Sequence, residues 1–287
     1  MKRLYILGSI NTDLVIRTPY IPVSGETIKG SDFFIGRGGK GANQAVAAAR
    51  SGAKVVMCGA VGDDSFGKEA TESLVKEKID CTHIKKITNF SSGVAVIILC
   101  NADNRIILDS GANALISKEE IDNFLNDATS NDIFLTQLEN PIEIVGYALK
   151  KAKEKGLFTV LNPAPANTKI TPYFKYVDLL IPNETECEIL GGIDKIKSNI
   201  KTLIVTLGSK GFRIINSKID QVFPCIKVNV IDTTAAGDTF CGAMLAALLE
   251  GRDLVEAAKF GSKSASIACT KKGAQPSIPT KEQVETW

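Results

Sequence analysis

The sequence is poor in histidine and contains only one, His83, among 287 residues. His83 lies in a polar stretch, and no other potential metal ligands stand at a suitable spacing from it. The sequence therefore argues against a Ser-His-Asp triad and against a histidine-based zinc site. We interpret His83 as a surface residue.

The seven cysteines are an odd number, widely spaced, and form no Cys-x-x-Cys pair. This pattern argues against a disulfide framework and a zinc site, and it predicts a reducing, cytoplasmic compartment.

The chain also lacks a strong excess of charge and a long apolar run. Its net charge of +2 gives no basic footprint for nucleic acid. No uncharged apolar stretch approaches the length that spans a bilayer, and the N-terminal apolar run is too short for a signal peptide. We therefore expect neither nucleic acid nor a membrane as a partner. The length and the hydrophobic content of 44% favour one large α/β domain with a small appendage.

Most of the chain alternates predicted strands and helices. The N-terminal apolar run is predicted to be the first core strand, and the βαβ alternation begins with an Ala-rich helix at residues 41–50. Two stretches interrupt it, namely a proline-punctuated extended meander within residues 13–36 and a hairpin at residues 93–109 that turns at residues 101–104. We expect these two stretches to pair as a small β-sheet that forms a lid.

The turn Asp-Thr-Thr-Ala-Ala-Gly-Asp-Thr-Phe at residues 232–240 is expected to join a strand at residues 228–231 to a helix. In that geometry the backbone N–H groups of Ala235, Ala236 and Gly237 have no partner inside the helix, so with the helix dipole they make an anion site. Asp238 at the mouth of this site suits a base for a hydroxyl that attacks a nearby phosphoryl group. The alternative is that Asp238 only caps the helix.

A second small-residue segment, Gly-Arg-Gly-Gly-Lys-Gly-Ala-Asn-Gln at residues 36–44, follows a predicted strand and opens a helix. It matches the dinucleotide pattern G-x-G-x-x-G, but the match is weak because the segment follows a meander rather than the first strand of a continuous βαβ unit. Bare glycine backbone, the Asn43 amide and the Lys40 ammonium suit a small polyhydroxyl ligand better. The alternative is that the glycines serve packing alone.

Two further segments follow predicted strand ends, where an open parallel sheet binds its ligands. In Asn-Glu-Thr-Glu at residues 183–186, Glu186 can hold magnesium through water, and the alternative is an ordinary capped helix. Thr-Leu-Gly-Ser-Lys-Gly at residues 206–211 is a glycine turn that can bring backbone against a flat or phosphorylated ligand. Taken alone, it is a loop.

These segments occur in the order found in PfkB-type sugar kinases, together with Gly-Ser-Ile-Asn-Thr-Asp at residues 8–13 and Lys-Gly-Ala-Gln-Pro-Ser at residues 272–277. The chain resembles that family over nearly its whole length, and the ordered set is much more specific than any single motif. The resemblance implies an α/β, Rossmann-like ribokinase fold, in which helices flank a mostly parallel central sheet and a small β-sheet forms a lid. It also implies a homodimer formed through that lid.

The resemblance further implies a phosphotransferase that uses ATP, Mg²⁺ and K⁺ to phosphorylate D-ribose at the 5-hydroxyl, giving ribose 5-phosphate and ADP. The family's base and anion hole match Asp238, Ala235, Ala236 and Gly237. Its ribose-binding positions match Asn11, Thr12, Asp13, Gly39, Lys40, Gly41, Ala42, Asn43, Glu139 and Asp238. Its nucleotide positions match Asn183, Thr206, Leu207, Gly208, Ser209, Lys210, Gly211, Gly237, Asp238 and Ser262. Its magnesium motif matches Glu186, and its monovalent-cation loop matches Asp232, Thr234, Ala268, Lys271, Gly273 and Ser277.

The chain departs from the family pattern at two places. It is shorter between Leu190 and Leu203, where one peripheral helix is expected to be missing, and Arg37 puts a charge directly before the glycine pair. Neither departure removes a catalytic position. The rival functions are a PfkB-type kinase for another small sugar such as deoxyribose or fructose, a non-catalytic sugar or nucleotide sensor on the same fold, and an NAD-linked oxidoreductase.

Overall fold

The computed structural model describes residues 2–100 and 103–287. Its strands are β1 Leu4–Leu7, β2 Asn11–Arg17, β3 Ser31–Gly38, β4 Val55–Gly62, β5 Asp80–Ile87, β6 Gly93–Cys100, β7 Asp103–Asp109, β8 Ile133–Thr136, β9 Phe158–Leu161, β10 Leu179–Leu180, β11 Thr202–Thr206, β12 Phe212–Ile215 and β13 Asp220–Phe223. Its α-helices are α1 Lys40–Arg50, α2 Ser65–Lys76, α3 Lys118–Phe124, α4 Ile142–Glu154, α5 Glu184–Ile189, α6 Ile193–Lys197, α7 Ala236–Leu249, α8 Leu254–Ala268 and α9 Lys281–Thr286.

The large sheet has the strand order β13-β12-β11-β10-β9-β8-β1-β4-β5. The strands from β11 to β5 in this order pair in parallel, and β12 and β13 add an antiparallel edge. Every residue of β1 and β4 is buried, as expected for central strands of a parallel sheet whose two faces are both covered. The predicted α/β architecture with a mostly parallel sheet is confirmed.

Helices cover both faces of the large sheet. Leu4 and Ile6 of β1 point into a core shared with α1, α7 and α8, whereas Tyr5 and Leu7 point into a core shared with α3 and α4. This alternation follows from the two-residue period of a strand. Helix α7 is buried along most of its length, and its first turn meets the ends of β9, β10 and β11 around one cavity.

The small sheet has the strand order β3-β2-β6-β7. Strand β2 pairs antiparallel with β3 and parallel with β6, and β6 pairs antiparallel with β7. The predicted pairing of the meander with the hairpin is therefore observed as a separate sheet. Residues 101 and 102 of the predicted hairpin turn lie outside the described residues.

The strand predicted at residues 228–231 is wrong. These residues belong to no strand of the described chain, and the side chains of Val230 and Ile231 are 60% and 58% exposed. A β-branched run has strand propensity, but a strand also needs a neighbouring edge to pair with. Strands β5 and β13, which lie at the two edges of the large sheet, were not predicted.

The surface interpretation of His83 is also wrong. His83 lies in β5, is half-buried, and packs edge-on against the ring of Phe124 with 5.6 Å between ring centroids.

In the shortened region between Leu190 and Leu203, the crossover from β10 to β11 carries the short helices α5 and α6, and Leu190, Ile196 and Ile200 are buried there. The shorter passage thus still covers the core. No helix in the described ranges is long and apolar enough to cross a bilayer.

Candidate active site

Helix α7 begins directly after a residue in the left-handed conformation. Ala235 has a φ of 59°, which is costly for a residue other than glycine and is found most often at functional turns. Its carbonyl oxygen accepts a helix hydrogen bond from the Thr239 N–H at 2.8 Å. Within the described chain no side chain caps this helix end, so the alternative that Asp238 caps the helix is wrong.

The predicted row of three free N–H groups is present only in part. The N–H of Ala236 donates to the Thr233 carbonyl oxygen at 3.2 Å, so it is not free as the sequence predicted. The N–H groups of Ala235 and Gly237 have no acceptor among the residues the structure describes. Apart from Gly237, its chain neighbours and the nearby backbone of its own helix, no heavy atom of the described chain lies within 4 Å of the position that a Cβ on Gly237 would occupy. Of the three predicted donors at the positive end of α7, those of Ala235 and Gly237 therefore remain available to an anion.

Two amide side chains hold the buried carboxylate of Asp238. Asn43 Nδ2 donates to Asp238 Oδ2 at 3.0 Å, and Gln44 Nε2 donates to Asp238 Oδ1 at 2.9 Å. The other end of the Asn43 amide, Oδ1, is buried and has no donor in the described part of the chain. The carboxylate is thus oriented by neutral donors, and an unused acceptor lies beside it.

Asp238 borders a polar cavity of about 240 Å³ at the carboxyl ends of β9, β10 and β11. The cavity is lined by Lys40, Asn162, Ala164, Ile181, Asn183, Glu186, Thr206, Thr233, Ala235, Ala236, Gly237, Asp238 and Cys241. The fold therefore brings the candidate base together with Asn183 and Thr206, which the family resemblance assigned to the nucleotide, and with Glu186, which it assigned to magnesium. A larger cavity of about 410 Å³ lies around the N-terminal ends of β8, β9 and β11 and contains none of the predicted site residues.

The glycine pair packs closely against the start of β2. A Cβ on Gly38 would lie 2.3 Å from Asp13 Oδ1, and a Cβ on Gly39, whose φ is 87°, would lie 2.6 Å from the Asn11 nitrogen. Close backbone packing therefore requires Gly39, and Gly38 leaves room for the Asp13 carboxylate. Asn11 and Asp13 are thereby held against the segment that leads into α1.

Glu139, which follows β8, joins this group. Its Oε2 accepts hydrogen bonds from the Ser9 hydroxyl, from Asn11 Nδ2 at 3.4 Å and from the Lys40 N–H at 3.3 Å. Residues from three separate parts of the chain thus meet at the carboxyl edge of the large sheet. This edge is where an open parallel sheet binds its ligands.

Carboxylates surround Lys40. Burial, together with the charges of Glu139 and Asp238, raises the pKa of Asp13 from 3.8 to about 7. Burial alone would lower the pKa of Lys40, but the nearby carboxylates, first Asp238 and then Glu139, hold that pKa above its ordinary value. Burial raises the pKa of Glu186, although the charge of Lys40 opposes the rise. This concentration of negative charge favours hydroxyl donors and cations as ligands.

Asn183 and Glu186 form a reciprocal capping box at the start of α5. Asn183 Oδ1 accepts from the Glu186 N–H at 2.8 Å, and Glu186 Oε2 accepts from the Asn183 N–H at 2.8 Å. The capped helix expected as the alternative is therefore present, and both residues also line the cavity. Thr206, at the end of β11, bridges to Asn183. The glycine turn that follows has an exposed tip, residues 208–210.

Asp232 ties two loops together. Its Oδ1 accepts from the N–H and the hydroxyl of Thr234 at 2.9 and 2.6 Å, and its Oδ2 accepts from the Gly273 N–H at 2.8 Å. Burial raises the pKa of Asp232, but these hydrogen bonds hold it below its ordinary value. Asp232 therefore bonds to its own turn and also to the loop behind α8. The remaining predicted cation residues lie at the end of α8 and in the loop behind it, namely Ala268, Lys271 and Ser277.

Several predicted residues do not reach the cavity. Thr12, Gly41, Ala42 and Ser262 are buried and do not line it. Of the candidate sugar residues only Lys40 and Asp238 line it, so the others lie outside its lining, namely Asn11, Asp13, Gly39, Asn43 and Glu139. Conversely, sequence reasoning missed some buried polar residues that contact the site, namely Ser9, Gln44, Asn113, Gln137 and Asn162. Asn162 was accessible to such reasoning, because it directly follows a strand at the ligand-binding edge.

Known proteins resemble the chain over its whole length. The sequence model described as pfkB family carbohydrate kinase matches residues 1–281. A ribokinase from Haemophilus influenzae is 42% identical, over 98% of this chain and 97% of its own length. A deoxyribokinase from Salmonella typhimurium is 37% identical, over 98% and 97% respectively. The structure of Arabidopsis thaliana ribokinase complexed with ribose and ATP superposes with a TM-score of 0.88 at 29% identity, covering 99% of this chain and 98% of that one.

Proposed function

The chain belongs to the pfkB family of carbohydrate kinases, and we propose that it transfers the γ-phosphoryl group of ATP to the 5-hydroxyl of D-ribose, giving ribose 5-phosphate and ADP. One observation carries the proposal. A buried carboxylate, Asp238, lies at the start of a helix with two free N–H groups and borders a polar cavity shared with the candidate nucleotide residues. The similarity to ribokinases supports ribose as the sugar.

In this mechanism Asp238 acts as the general base. As the ribose hydroxyl oxygen attacks the γ-phosphorus, its proton passes to the Asp238 carboxylate. The new oxygen–phosphorus bond forms while the bond between the γ-phosphorus and the β,γ-bridging oxygen breaks, and ADP leaves with that oxygen. The free N–H groups of Ala235 and Gly237 donate to the oxygens of the transferring group, where negative charge has to be stabilised.

The sugar would bind between the two sheets. Asp13 and Glu139 supply acceptors for sugar hydroxyls, and Asn11 and Lys40 lie close enough to share them. The unpartnered Oδ1 of Asn43 supports this placement, because a buried acceptor without a donor is costly unless a ligand satisfies it. A polyhydroxyl ligand can satisfy all of these groups at once.

The residues present fit magnesium held mainly by phosphate oxygens and water. The described chain has no cluster of three or more His, Cys, Asp or Glu residues suited to a metal ion, and magnesium in nucleotide sites needs few protein carboxylates. Glu186, which lines the cavity, would contact it through water. Bound magnesium would neutralise charge on the phosphates.

Asp232 and backbone carbonyls of the loop after α8 fit a large monovalent cation such as K⁺. Asp232 already joins that loop to the turn that carries Ala235. The charge of such an ion would hold the turn in place.

We further propose that the small sheet closes over the sugar and forms a homodimer. Large apolar side chains on β3 and β7 are exposed, namely Phe33, Phe34, Ile35, Ile106, Ile107 and Leu108. Because successive residues of a strand point to opposite faces, both faces of this sheet carry apolar surface. One face suits closure over the site, and the other suits a second copy of the chain. All seven cysteines are free, which fits the cytoplasm.

A panel of sugars with ATP and magnesium tests the proposal. ADP formation should be fastest with D-ribose, and ³¹P NMR should identify the product as the 5-phosphate. The deoxyribokinase relative makes 2-deoxyribose the second candidate, and a higher kcat/KM for that sugar would transfer the assignment to it. Sugar binding without ADP formation would instead identify a sensor.

A further inference from the structure

Gln44 lies at the centre of a buried network of side-chain amides. It is fully buried within α1. Its Nε2 donates to Asp238 Oδ1 at 2.9 Å and to Asn162 Oδ1 at 3.0 Å, while its Oε1 accepts from Gln137 Nε2 at 2.6 Å. None of these bonds involves a charged donor, and none is exposed to solvent.

These three bonds fix the Gln44 amide in one orientation. A primary amide has two N–H donors and one oxygen acceptor, and here both donors and the oxygen are engaged. A flipped Gln44 amide would point its oxygen at the oxygens of Asp238 and Asn162. The Gln137 amide could reverse with it, because Gln137 Oε1 has no partner in the described chain, but the two oxygen–oxygen contacts would remain repulsive. Gln44 therefore presents an N–H to Asp238.

The network connects the two sides of the site. Gln137 lies two residues before Glu139, which belongs to the candidate sugar pocket. Asn162 lines the cavity and donates through Nδ2 to the Ile181 carbonyl oxygen at 2.7 Å. Ile181 in turn stands two residues before Asn183, which begins the candidate nucleotide side. The Asp238 carboxylate is therefore positioned relative to both substrates through the Gln44 amide.

We propose that Gln44 is a positioning residue for phosphoryl transfer, whose amide sets the orientation of the Asp238 carboxylate towards the attacking hydroxyl. The inference rests on the proposed function. With Asn43 as its only donor, the carboxylate could rotate about its Cβ–Cγ bond and move its basic oxygen away from the hydroxyl. Gln44 is fully buried, does not line the cavity, and bonds to no candidate sugar residue other than Asp238, so the loss of Gln44 acts on the chemical step and not on substrate binding.

The test is Gln44→Met, which keeps the length of the side chain and removes its donors. We expect kcat to fall about 10- to 100-fold, because misplacing a catalytic group by about 1 Å costs up to that much. KM for ribose and for ATP should stay within about threefold of the wild-type values, because the substitution removes no contact with the bound substrates. Gln137→Met leaves both donors to Asp238 in place and removes one of the three bonds to the Gln44 amide, so its loss of kcat should be smaller.

Thr159→Val serves as the matched control for the loss of buried hydrogen bonds. The Thr159 hydroxyl is buried in β9 and bonds to the Tyr176 carbonyl oxygen at 2.6 Å and to Asp178 at 3.0 Å, away from the cavity. Its removal should lower the melting temperature and leave kcat unchanged. A loss of kcat in this control equal to that in Gln44→Met would assign the effect to general destabilisation and overturn the inference.

The remaining outcomes are distinct. A folded Gln44→Met with wild-type kcat, or with a raised KM and unchanged kcat, overturns the positioning role. Should Gln44→Met fail to fold, Gln137→Met decides, since a lowered kcat at constant KM supports the role and an unchanged kcat contradicts it. A wild-type chain that forms no ADP with any sugar overturns the proposed function together with this inference, whereas an active wild type and an equally active Gln44→Met overturn the inference alone.

Discussion

Asp238→Asn is the most conservative substitution that tests Asp238 as the general base. The new amide has nearly the shape of the carboxylate, but one of its oxygens becomes a donor. Gln44 is fixed and must still meet an oxygen, so the new NH₂ group faces Asn43. The Asn43 amide can reverse, because its Oδ1 has no partner among the described residues, and it then accepts from the new NH₂. We therefore expect a change in the free energy of unfolding of no more than about 1 kcal/mol.

The catalytic loss should be much larger. The new amide cannot take a proton at neutral pH, and no other carboxylate shares the amide donors of Asp238. Loss of a general base costs about 100- to 10,000-fold in rate, which corresponds to about 3 to 5 kcal/mol in the activation barrier. The reduction should appear in kcat, because the N–H groups that hold the phosphates belong to the backbone of α7 and are retained.

The assay compares kcat at saturating ribose and ATP, ATP affinity by titration calorimetry, and thermal unfolding. Asp132→Asn is the matched control, since Asp132 is 2% exposed and accepts bonds from Arg3 and Thr129 far from the cavity. The control should keep its kcat. A folded Asp238→Asn with turnover within about threefold of the wild type would refute the assignment of the base.

Asp13→Ala and Glu139→Ala should each weaken ribose binding by about 1 to 3 kcal/mol and leave ATP binding unchanged, because both contact the sugar pocket; equal losses for both ligands in calorimetry would mean that the pockets are misassigned. The pKa of Asp13, raised from 3.8 to about 7, lets the folded chain hold a proton that the unfolded chain has released, so the free energy of unfolding should fall as pH rises between these values. Urea unfolding of Asp13→Asn should lack this part of the slope, and an identical slope in both proteins would contradict the shift. K⁺ should raise kcat more than Na⁺ does at constant ionic strength, because a cation beside Asp232 would hold the turn that carries Ala235; equal rates in K⁺, Na⁺ and tetramethylammonium would reject that cation site.

The parts of the fold that the sequence predicted are those in which local signals and tertiary packing agree. The uniformly apolar run of β1 and the Ala-rich run of α1 each specify one local structure, and both are observed. Strand β5, Asp-Cys-Thr-His-Ile-Lys-Lys-Ile, was missed because its charged residues are typical of an edge strand and hide the apolar signal. Its pairing with β4 depends on the tertiary arrangement.

The candidate site was predictable where one segment carries the chemistry. The position of Asp238 in a small-residue turn could be read from neighbouring residues, whereas its contact with Gln44 joins positions 194 residues apart. A local sequence pattern cannot predict a contact between residues so far apart in the chain, because the contact depends on the fold. The sequence predicted free N–H groups at three residues, but that of Ala236 bonds to Thr233. This bond and the left-handed conformation of Ala235 depend on backbone angles that the sequence does not specify.

The pairing of β2 with β6 has a consequence for the order in which the chain folds. It joins Asn11 to Gly93, and the chain between them supplies α1, β4, α2 and β5 to the large sheet. Because a two-stranded hairpin alone is marginal in water, neither half of the small sheet is stable until those intervening elements have brought the halves together. We therefore expect the small sheet to form after those elements, and its backbone amides should exchange with solvent deuterium sooner than those of β1 and β8.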